Sequence, residues 1–348
     1  MNHPKPPQRI GYYPGQQNLA PQPASQHSSG RRRRKLNSVR LLALCVCIAV
    51  FCTCLFLLVR YAVNIIISRN ASAQLEDVYN AAQQPSNEPS PTVSLTPSPS
   101  PVPTPAALPA ALTADGQPTA TPSVLQIWPT SYPDNPTLRV SSVFYQLQAQ
   151  NRDIVGWLKI DGVLEEAVVQ RDNEYYLTHN ALHQKSVTGA LFLDESCNLD
   201  TVPSHMVIHG HNMKEGAMFG SLKKYKVKDA SYYREHPFID FNTIYENGRY
   251  VIFAVVEVDI RSSKPDYLPF WNYSRFSSVS AFTSFVERAQ LLSHYRCNVD
   301  VQPGDRLLTL STCTGTDENK RLLVMARKLR PYENELELNI GIYSTTDR

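Results

Sequence analysis

The first 40 residues of the 348-residue chain contain no Asp or Glu, although they carry eight Lys or Arg. The whole chain has a formal net charge of +3, so the rest of the chain carries −5 once these eight positive charges are subtracted. A mildly acidic body behind a basic tail argues against nucleic acid as a partner of the body. Residues 1–40 also lack hydrophobic periodicity and are rich in Pro, Gln, Gly and Ser, so they are predicted to be a disordered cytoplasmic tail.

Charged residues are also absent from the run that begins at Leu41 and ends at Val59. At about 1.5 Å of rise per residue this run nearly spans a hydrocarbon core of roughly 30 Å, which predicts a transmembrane helix over residues 41–63. A cleaved signal peptide is the alternative, but its apolar region is typically shorter and ends at small residues, whereas Arg60 follows here. The arginine cluster before the run predicts a single-pass protein of the cell membrane, with a cytoplasmic N-terminus and an extracytoplasmic body.

Cysteine is scarce outside this run. The chain has seven cysteines, and four of them lie inside the run: Cys45, Cys47, Cys52 and Cys54. Because residues two apart on a helix point in different directions, these four are predicted to be small apolar fillers, not metal ligands, with palmitoylation as the alternative. Cys197 and Cys297 lie in the extracytoplasmic body, where a disulfide is permitted, but the sequence does not show whether they are within bridging distance.

Proline is concentrated in one segment, since 14 of the 26 prolines lie between residues 85 and 136. Mixed with Ser, Thr and Ala, this segment cannot bury a core and is predicted to be extended, largely polyproline II. Residues 64–82 could prolong the transmembrane helix. Residues 64–136 are therefore predicted to be a stalk and linker that carries a folded body away from the membrane.

The folded body is predicted over residues 137–348. Strand patterns occur at residues 154–160, 167–170, 190–194, 206–211, 307–312 and 322–327, with 336–343 as a further candidate. An Asn247-Gly248 pair between two β-rich runs indicates a hairpin. Helical patterns occur around residues 141–151, 218–225 and 277–295. Many short strands with few helices favour a mainly β fold, a small closed or nearly closed barrel.

The stretch LLTLSTCTGTDENKR, residues 307–321, joins a β-type run to a cysteine and a turn-rich loop. Because Cys313 stands where the run breaks into Thr, Gly and Asp, we expect it at a rim of the fold, where a nucleophile would be placed. The alternative for a lone cysteine is a small buried hydrophobe. A thiol has an unperturbed pKa of about 8.5 and attacks as the thiolate, so Cys313 needs a partner.

The best partner is His211, which lies well upstream in HMVIHGHNM. It stands where another short apolar strand gives way to a turn, so its imidazole can reach a neighbouring strand end. A strand-end histidine that makes only a structural hydrogen bond is the alternative. Arg321 supplies a fixed positive charge with planar donors, which suits a substrate carbonyl or a developing oxyanion.

These motifs resemble those of class B sortases, the membrane-tethered cysteine transpeptidases of Gram-positive bacteria. TLSTC with an arginine eight positions later, GHNM, NRDIVGWLKIDG and DNEYYLTHN occur in the family's order over about residues 145–343. The resemblance implies that Cys313 is the nucleophile, His211 the general acid/base and Arg321 the stabilising arginine. It also implies the eight-stranded sortase barrel with peripheral helices in the extracytoplasmic catalytic domain.

Two residues directly before the cysteine, Ser311 and Thr312, are candidates for oxyanion stabilisation or substrate positioning, although β-branched residues are common in strands. His209 shares strand parity with His211 and would form a zinc site with it and Cys313. Because no Asp, Glu or further Cys stands nearby in a ligand-like pattern, we predict no metal and no organic cofactor, and we assign His209 a packing role.

The resemblance implies acyl transfer in two halves. The thiolate attacks the threonine carbonyl of a C-terminal sorting signal on a surface protein, NPQTN-like in class B relatives, and forms a thioacyl enzyme. An amine from a peptidoglycan precursor or a pilin then takes the acyl group. A hydrolytic cysteine peptidase using the same residues and a catalytically silent, wall-associated binding module remain alternatives.

Overall fold

A computed structural model describes residues 38–84, 127–214, 216–315, 317–338 and 340–343. The predicted tail up to residue 37 and most of the Pro-rich segment, residues 85–126, lie outside the described residues. The chain divides into two compact units, Met1–Leu55 and Phe56–Arg348, and the second unit contains the whole β structure.

The first element is helix α1, Ser38–Gln83, which is 46 residues long. An 18-residue window of α1 has a mean hydropathy of 3.0 and none of it is buried, so length and composition make α1 a candidate membrane span. The helix includes the predicted transmembrane segment, but it continues for about 20 residues beyond residue 63, where the prediction ended that segment.

The body is built on short strands. The strands of the described residues are β1 Ile154–Ile160, β2 Leu164–Val169, β3 Leu191–Leu193, β4 His205–His209, β5 Phe238–Thr243, β6 Arg249–Asp259, β7 Arg296–Cys297, β8 Leu307–Cys313, β9 Lys320–Lys328 and β10 Ile342–Tyr343. Eight of them close into a barrel in the order β1, β2, β3, β4, β8, β9, β6, β5. The predicted eight-stranded barrel is therefore confirmed.

Two of the barrel pairings are parallel, β2 with β3 and β4 with β8, and the other pairings are antiparallel. The predicted hairpin joins β5 to β6, with Phe238 opposite Val251. Its Gly248 is required by space, since a Cβ there would lie 2.7 Å from the ring of Tyr250 and 2.9 Å from the carbonyl oxygen of Phe241. The parallel β4–β8 pair matters most for the site, because parallel strands bring their carboxyl ends to the same edge of the barrel.

Helices cover the outside of the barrel. They are α2 Ser142–Gln150, α3 Ser231–Glu235 and α4 Val279–Leu292. The apolar stripe predicted for α4 is its buried face, and the Ser278 side chain caps the helix by accepting a hydrogen bond from the Ala281 N–H. The short helix expected at residues 218–225 is present as a 3₁₀ helix, Phe219–Lys226. One local prediction needs correction: the strand expected at 336–343 is only the two-residue β10, which pairs with β7 outside the barrel.

The second half of α1 packs on the barrel, so the prediction of a stalk from residue 64 onwards is wrong for this part of the chain. Ser68, Ala71, Leu75 and Tyr79 are buried and recur every three or four residues, which places them on one helix face. The ring of Tyr79 stacks on Trp157 of β1, with centroids 4.1 Å apart and an interplanar angle of 9°.

The core also begins earlier along the chain than residue 137, where the prediction placed the start of the body. Trp128 and Tyr132 are both buried, and the Tyr132 hydroxyl donates a hydrogen bond to the carbonyl oxygen of Leu199 at 2.7 Å. The sequence did not reveal this because both aromatic residues stand among prolines that indicate an unpacked linker.

Candidate active site

Cys313 is the last residue of β8. The six residues before it in the strand are buried, whereas Cys313 itself is half-buried. The thiol therefore emerges where the strand leaves the core, which is the strand-end position expected from the sequence.

His211 follows the end of β4, the parallel neighbour of β8, and the contacts between the two strands continue past β4. The Gly210 N–H donates to the carbonyl oxygen of Ser311 at 3.1 Å. The Asn212 side-chain amide donates to the carbonyl oxygen of Cys313 at 2.9 Å. The residues on both sides of His211 are thus hydrogen-bonded to the last residues of β8.

The orientation of the His211 imidazole is set by a neighbouring chain segment. Its Nε2 lies 2.8 Å from the carbonyl oxygen of Leu177. A carbonyl only accepts, so Nε2 carries the hydrogen and Nδ1 remains as the ring nitrogen that can take up a proton. Gly189 packs against the ring: a Cβ at this position would lie 3.1 Å from His211 Cδ2 and 2.5 Å from the carbonyl oxygen of Tyr176.

Arg321 lies on β9, directly opposite Cys313 in the antiparallel β8–β9 ladder. Its guanidinium donates to the backbone carbonyls of Glu318 and Lys320, which holds it at the start of the strand. The neighbouring Lys320 forms an ion pair with Asp266 at 3.5 Å. Of the two adjacent cations, the structure therefore directs Lys320 to a carboxylate and Arg321 to the rim beside the thiol.

One cavity of about 530 Å³ brings the three predicted residues together, since Cys313, His211 and Arg321 all line it. Its wall also includes polar groups and aromatic rings: Asn173, Asp194, Glu195, Ser196, His209, Phe270, Trp271, Asn272, Ser311 and Thr312. The cavity is open to solvent on one side and apolar over much of its wall, as is typical of ligand-binding clefts.

The two candidate positioning residues differ in what their hydroxyls do. The Thr312 hydroxyl donates to the carbonyl oxygen of Gly210 at 2.7 Å, so its hydrogen is not directed to an oxyanion. The Ser311 hydroxyl is buried and, among the described residues, has no hydrogen-bond partner. Ser311 also lines the cavity, so it is the one of the two residues whose hydroxyl is not already committed to a backbone carbonyl.

A histidine–carboxylate pair lines the same cavity, with the carboxylate buried and the histidine half-buried, and the sequence did not reveal the carboxylate. His209 Nε2 lies 2.8 Å from Asp194 Oδ2. Burial works to raise the pKa of the Asp194 carboxyl, but hydrogen bonds from His209 and Ser196 outweigh it and lower the pKa to about 2. Asp194 directly follows β3, and the pairing of Phe192 in β3 with His209 in β4 brings the carboxylate close to the imidazole. A prediction that β3 pairs with β4 would have identified Asp194 as the partner of His209.

The zinc alternative needed His209, His211 and Cys313 in one ligand set. Within the part of the chain that the structure describes, no group of three or more His, Cys, Asp or Glu is placed to hold a metal ion. His205, the third histidine of the motif, is fully buried and hydrogen-bonded through Nε2 to the Thr309 hydroxyl at 2.7 Å, and burial lowers its pKa to about 3.

Cys197 and Cys297 are both free thiols, so the disulfide that the sequence permitted is not formed. Both are buried, and burial raises the pKa of each thiol to about 12. Neither lines the cavity around Cys313, the more exposed thiol of the barrel.

Comparison with known proteins gives consistent matches. A family model described as Sortase domain matches residues 158–329. The chain is 35% identical to sortase B of Listeria monocytogenes over 186 residues, which cover 53% of this chain and 72% of the relative. It is 27% identical to sortase B of Staphylococcus aureus over 191 residues, covering 54% and 75% of the two chains. Among solved structures, sortase B from B. anthracis in complex with AAEK2 is similar with a TM-score of 0.49 and 31% identity, over 56% of this chain and 86% of that chain.

Proposed function

Because this chain belongs to the sortase family of cell-wall-anchoring cysteine transpeptidases, we propose that it cleaves the C-terminal sorting signal of a surface protein after a threonine. The acyl group is then transferred to an amine of a peptidoglycan precursor or of a pilin. The observation that carries this proposal is the convergence of Cys313, His211 and Arg321 on one open cavity.

Cys313 is the nucleophile in this proposal. Its thiolate attacks the threonine carbonyl, the carbon–sulfur bond forms, and the carbonyl oxygen becomes an oxyanion in the tetrahedral intermediate. The half-buried position at the end of β8 supports this role, since the sulfur is accessible while its backbone is fixed between β4 and β9.

His211 is the general acid and base. With Nε2–H engaged by Leu177, Nδ1 exchanges the proton: it protonates the departing amine when the peptide bond breaks and later takes a proton from the attacking amine. The carbonyl of Leu177 keeps the ring in one tautomer, as a fixed acceptor does in other acid/base pairs.

Arg321 stabilises the oxyanion. Its guanidinium is always charged and planar, and its position opposite Cys313 on the ladder supports this role. Ser311 is proposed to position the substrate, since its hydroxyl has no hydrogen-bond partner within the described part of the chain, whereas Thr312 is assigned to hold the β4–β8 edge.

The enzyme is proposed to work on the outer side of the cell membrane. The apolar part of α1, between Leu41 and Val59, crosses the bilayer, and the arginine-rich tail keeps the N-terminus in the cytoplasm. Residues 1–40, 41–63 and the barrel are thus proposed to be tail, anchor and extracytoplasmic catalytic domain, with residues 64–83 belonging to the last of these because they pack on it.

The test is a reaction of the full-length protein in detergent with sorting-signal peptides that contain threonine, in the presence of triglycine. Mass spectrometry separates the triglycine adduct from the free acid. A transpeptidase gives the adduct in preference to the acid, a hydrolytic peptidase gives the acid alone, and a silent binding module gives neither.

Two variants make the result specific. Cys313→Ala is expected to remove all product, and His211→Gln to lower the rate by about 10² to 10⁴-fold. Cys52→Ala, which removes a thiol from α1 outside the barrel, is the matched control and should retain the full rate. Product formation by Cys313→Ala would overturn the proposal.

A further inference from the structure

The helix that leaves the apolar run is tied by a buried hydroxyl to the segment that holds the catalytic histidine. Ser68 of α1 is 4% exposed, and its hydroxyl is hydrogen-bonded to the hydroxyl of Ser186, which is 6% exposed. These residues are 118 positions apart in the sequence. The bond joins α1 to residues 176–189, which we call the histidine-bracing segment.

The histidine-bracing segment is folded back on itself, and Ser186 is the residue that closes it. The Ser186 N–H donates to the carbonyl oxygen of Thr178 at 2.9 Å. Its hydroxyl accepts from the Thr188 N–H at 3.0 Å and shares a further hydrogen bond with the Thr188 hydroxyl at 2.8 Å. Ser186 therefore links both ends of the segment, through its backbone N–H at Thr178 and its hydroxyl at Thr188, and the same hydroxyl reaches α1.

Both ends of this segment contact the imidazole of His211. Leu177, which precedes Thr178, accepts the hydrogen bond from Nε2 at 2.8 Å. Gly189, which follows Thr188, packs against Cδ2 of the ring. Ser186 thus stands between the two contacts that orient the acid/base, and Ser68 stands behind Ser186.

The backbone after His211 reaches the same stretch of α1 by a second route. The Phe219 N–H donates to the carbonyl oxygen of His211 at 3.0 Å, and Asn212 pairs with Met218. Met218 and Ser68 line the same small cavities between α1 and the barrel. Two chain segments that contact His211 therefore reach α1: the histidine-bracing segment and the residues around Met218.

We propose that the docked part of α1 helps to orient the catalytic histidine. In this proposal Ser68 is a positioning residue that acts on His211 through Ser186. This inference rests on the proposed function, because it takes His211 to be the acid/base. The helix thereby does more than anchor the enzyme: it fixes the ring nitrogen that exchanges the proton with the substrate amine.

The proposal makes a specific demand on the tautomer of His211. With Ser68 in place, Leu177 is held as the acceptor and the Nε2–H form is favoured. Without the Ser68 hydroxyl, Ser186 keeps only the bonds within its own segment, so Leu177 and Gly189 can move away from the ring. A displacement of about 1 Å at a catalytic group is enough to lower a rate by up to about 10²-fold.

The experiment uses the full chain in nanodiscs and compares Ser68→Ala, Ser186→Ala and the double variant. Each is examined by single-turnover acylation with a threonine-containing sorting peptide and by ¹⁵N NMR of histidine-labelled protein, with the His211 signal assigned from a His211→Gln sample. Each single variant is expected to lower the acylation rate about tenfold and to reduce the share of the Nε2–H tautomer. The double variant should be no slower than Ser186→Ala alone, because Ser186→Ala already removes the link to Ser68.

Ser72→Ala is the matched control, since Ser72 lies on the same helix one turn further on and its hydroxyl is hydrogen-bonded to Glu166 of β2. It should leave both the rate and the tautomer unchanged. Equal effects from Ser72→Ala, additive effects in the double variant, or a wild-type spectrum for both Ser68→Ala and Ser186→Ala would each overturn the proposal. Thermal unfolding of every variant identifies one that fails to fold, in which case the other single variant decides.

The NMR comparison is repeated in the Cys313→Ala background, where no turnover is possible. Suppose that Ser68→Ala changes the His211 tautomer in this background but the wild-type protein gives no transpeptidation product. The proposed function would then be refuted, and the positioning role of Ser68 would stand. An active enzyme with an unchanged tautomer would do the reverse.

Discussion

Cys313 and Arg321 face each other as direct partners across the β8–β9 ladder. Residues directly opposite in an antiparallel pair project from the same face, with Cβ atoms about 4.5–5.5 Å apart. The backbone ladder therefore fixes the spacing of the two Cβ atoms, and the carbonyls of Glu318 and Lys320 hold the guanidinium at the start of β9.

This relationship predicts that the shape of the cation matters as well as its charge. Arg321→Lys keeps a positive charge at the same rung but replaces a planar fork with a single ammonium, so oxyanion stabilisation is lost. We expect acylation by the variant to be slower by about 10²-fold, with a smaller change in peptide affinity. Single-turnover acylation at several peptide concentrations measures both quantities.

Lys320→Ala is the control for this prediction, because Lys320 is adjacent in sequence but pairs with Asp266. It should acylate at close to the wild-type rate. If Arg321→Lys were as active as wild type, the guanidinium would have no special role at the rim.

The three thiols of the folded body should differ sharply in reactivity. Cys197 and Cys297 are buried with pKa values raised to about 12, so neither forms appreciable thiolate at pH 8. Cys313 is half-buried at the edge of an open cavity. Iodoacetamide at pH 8 followed by peptide mapping should therefore label Cys313 well before the other two, and rapid labelling of Cys197 in the folded protein would contradict the assigned burial.

The β character of the body and the strand-end positions of Cys313 and His211 could be predicted because their signals are local, whereas the eight-strand count was implied by the family resemblance. A β-type run that ends in Cys313, a strand end at His211 and an Asn-Gly turn each depend on a few neighbouring residues, and strand ends of parallel pairs meet at one edge. The structure places these residues where such patterns would bring them.

The features that escaped prediction depend on contacts between distant parts of the chain. Ser68 and Ser186 are 118 residues apart, and nothing near either serine indicates the other. The docking of α1 was missed for the same reason: the small residues Ser68 and Ala71 form a face only when a barrel surface is present to receive them.

That docking should contribute measurably to stability. Tyr79 is buried against Trp157, and its hydroxyl accepts a hydrogen bond from the Asn242 amide at 2.9 Å. Tyr79→Ala removes the stacked ring, so we expect the free energy of unfolding to fall by about 3 kcal/mol. Asn80→Ala, at the exposed neighbouring position, should change it little; equal unfolding midpoints in urea for wild type and Tyr79→Ala would show that the helix is not docked.

Asp194 should make the stability of the folded protein depend on pH in the acidic range. Its folded-state pKa, about 2, is depressed below the ordinary value of 3.8 despite burial, because His209 and Ser196 donate to the carboxylate. A depressed pKa contributes stability that is present above 3.8 and is lost as the pH falls through 2, which amounts to about 2 kcal/mol. Asp194→Asn should lose this contribution at pH 7, and its deficit should shrink on acidification; Glu195→Gln is the control, and a deficit that stays constant from pH 7 to pH 3 would contradict the assignment.

Glu166 should give the opposite dependence in the neutral range, because it lies half-buried between β2 and α1. Burial raises the pKa of Glu166 and the like charge of Glu76 adds to this, while a hydrogen bond from Ser72 works against both, so the pKa rises from 4.5 to about 7. A raised carboxyl pKa contributes stability that is fully present below 4.5 and is lost as the pH rises through 7, since ionisation is then unfavourable in the folded state. Glu166→Gln stays neutral, so its unfolding midpoint should vary less than that of wild type between pH 4.5 and 8, and it should be the more stable protein at pH 8.

Glu165→Gln is the matched control, because Glu165 is paired with Lys159 at 3.2 Å, and it should keep the wild-type slope. Parallel curves for wild type and Glu166→Gln would mean that the carboxyl is ionised in the folded protein and that α1 docks independently of its charge.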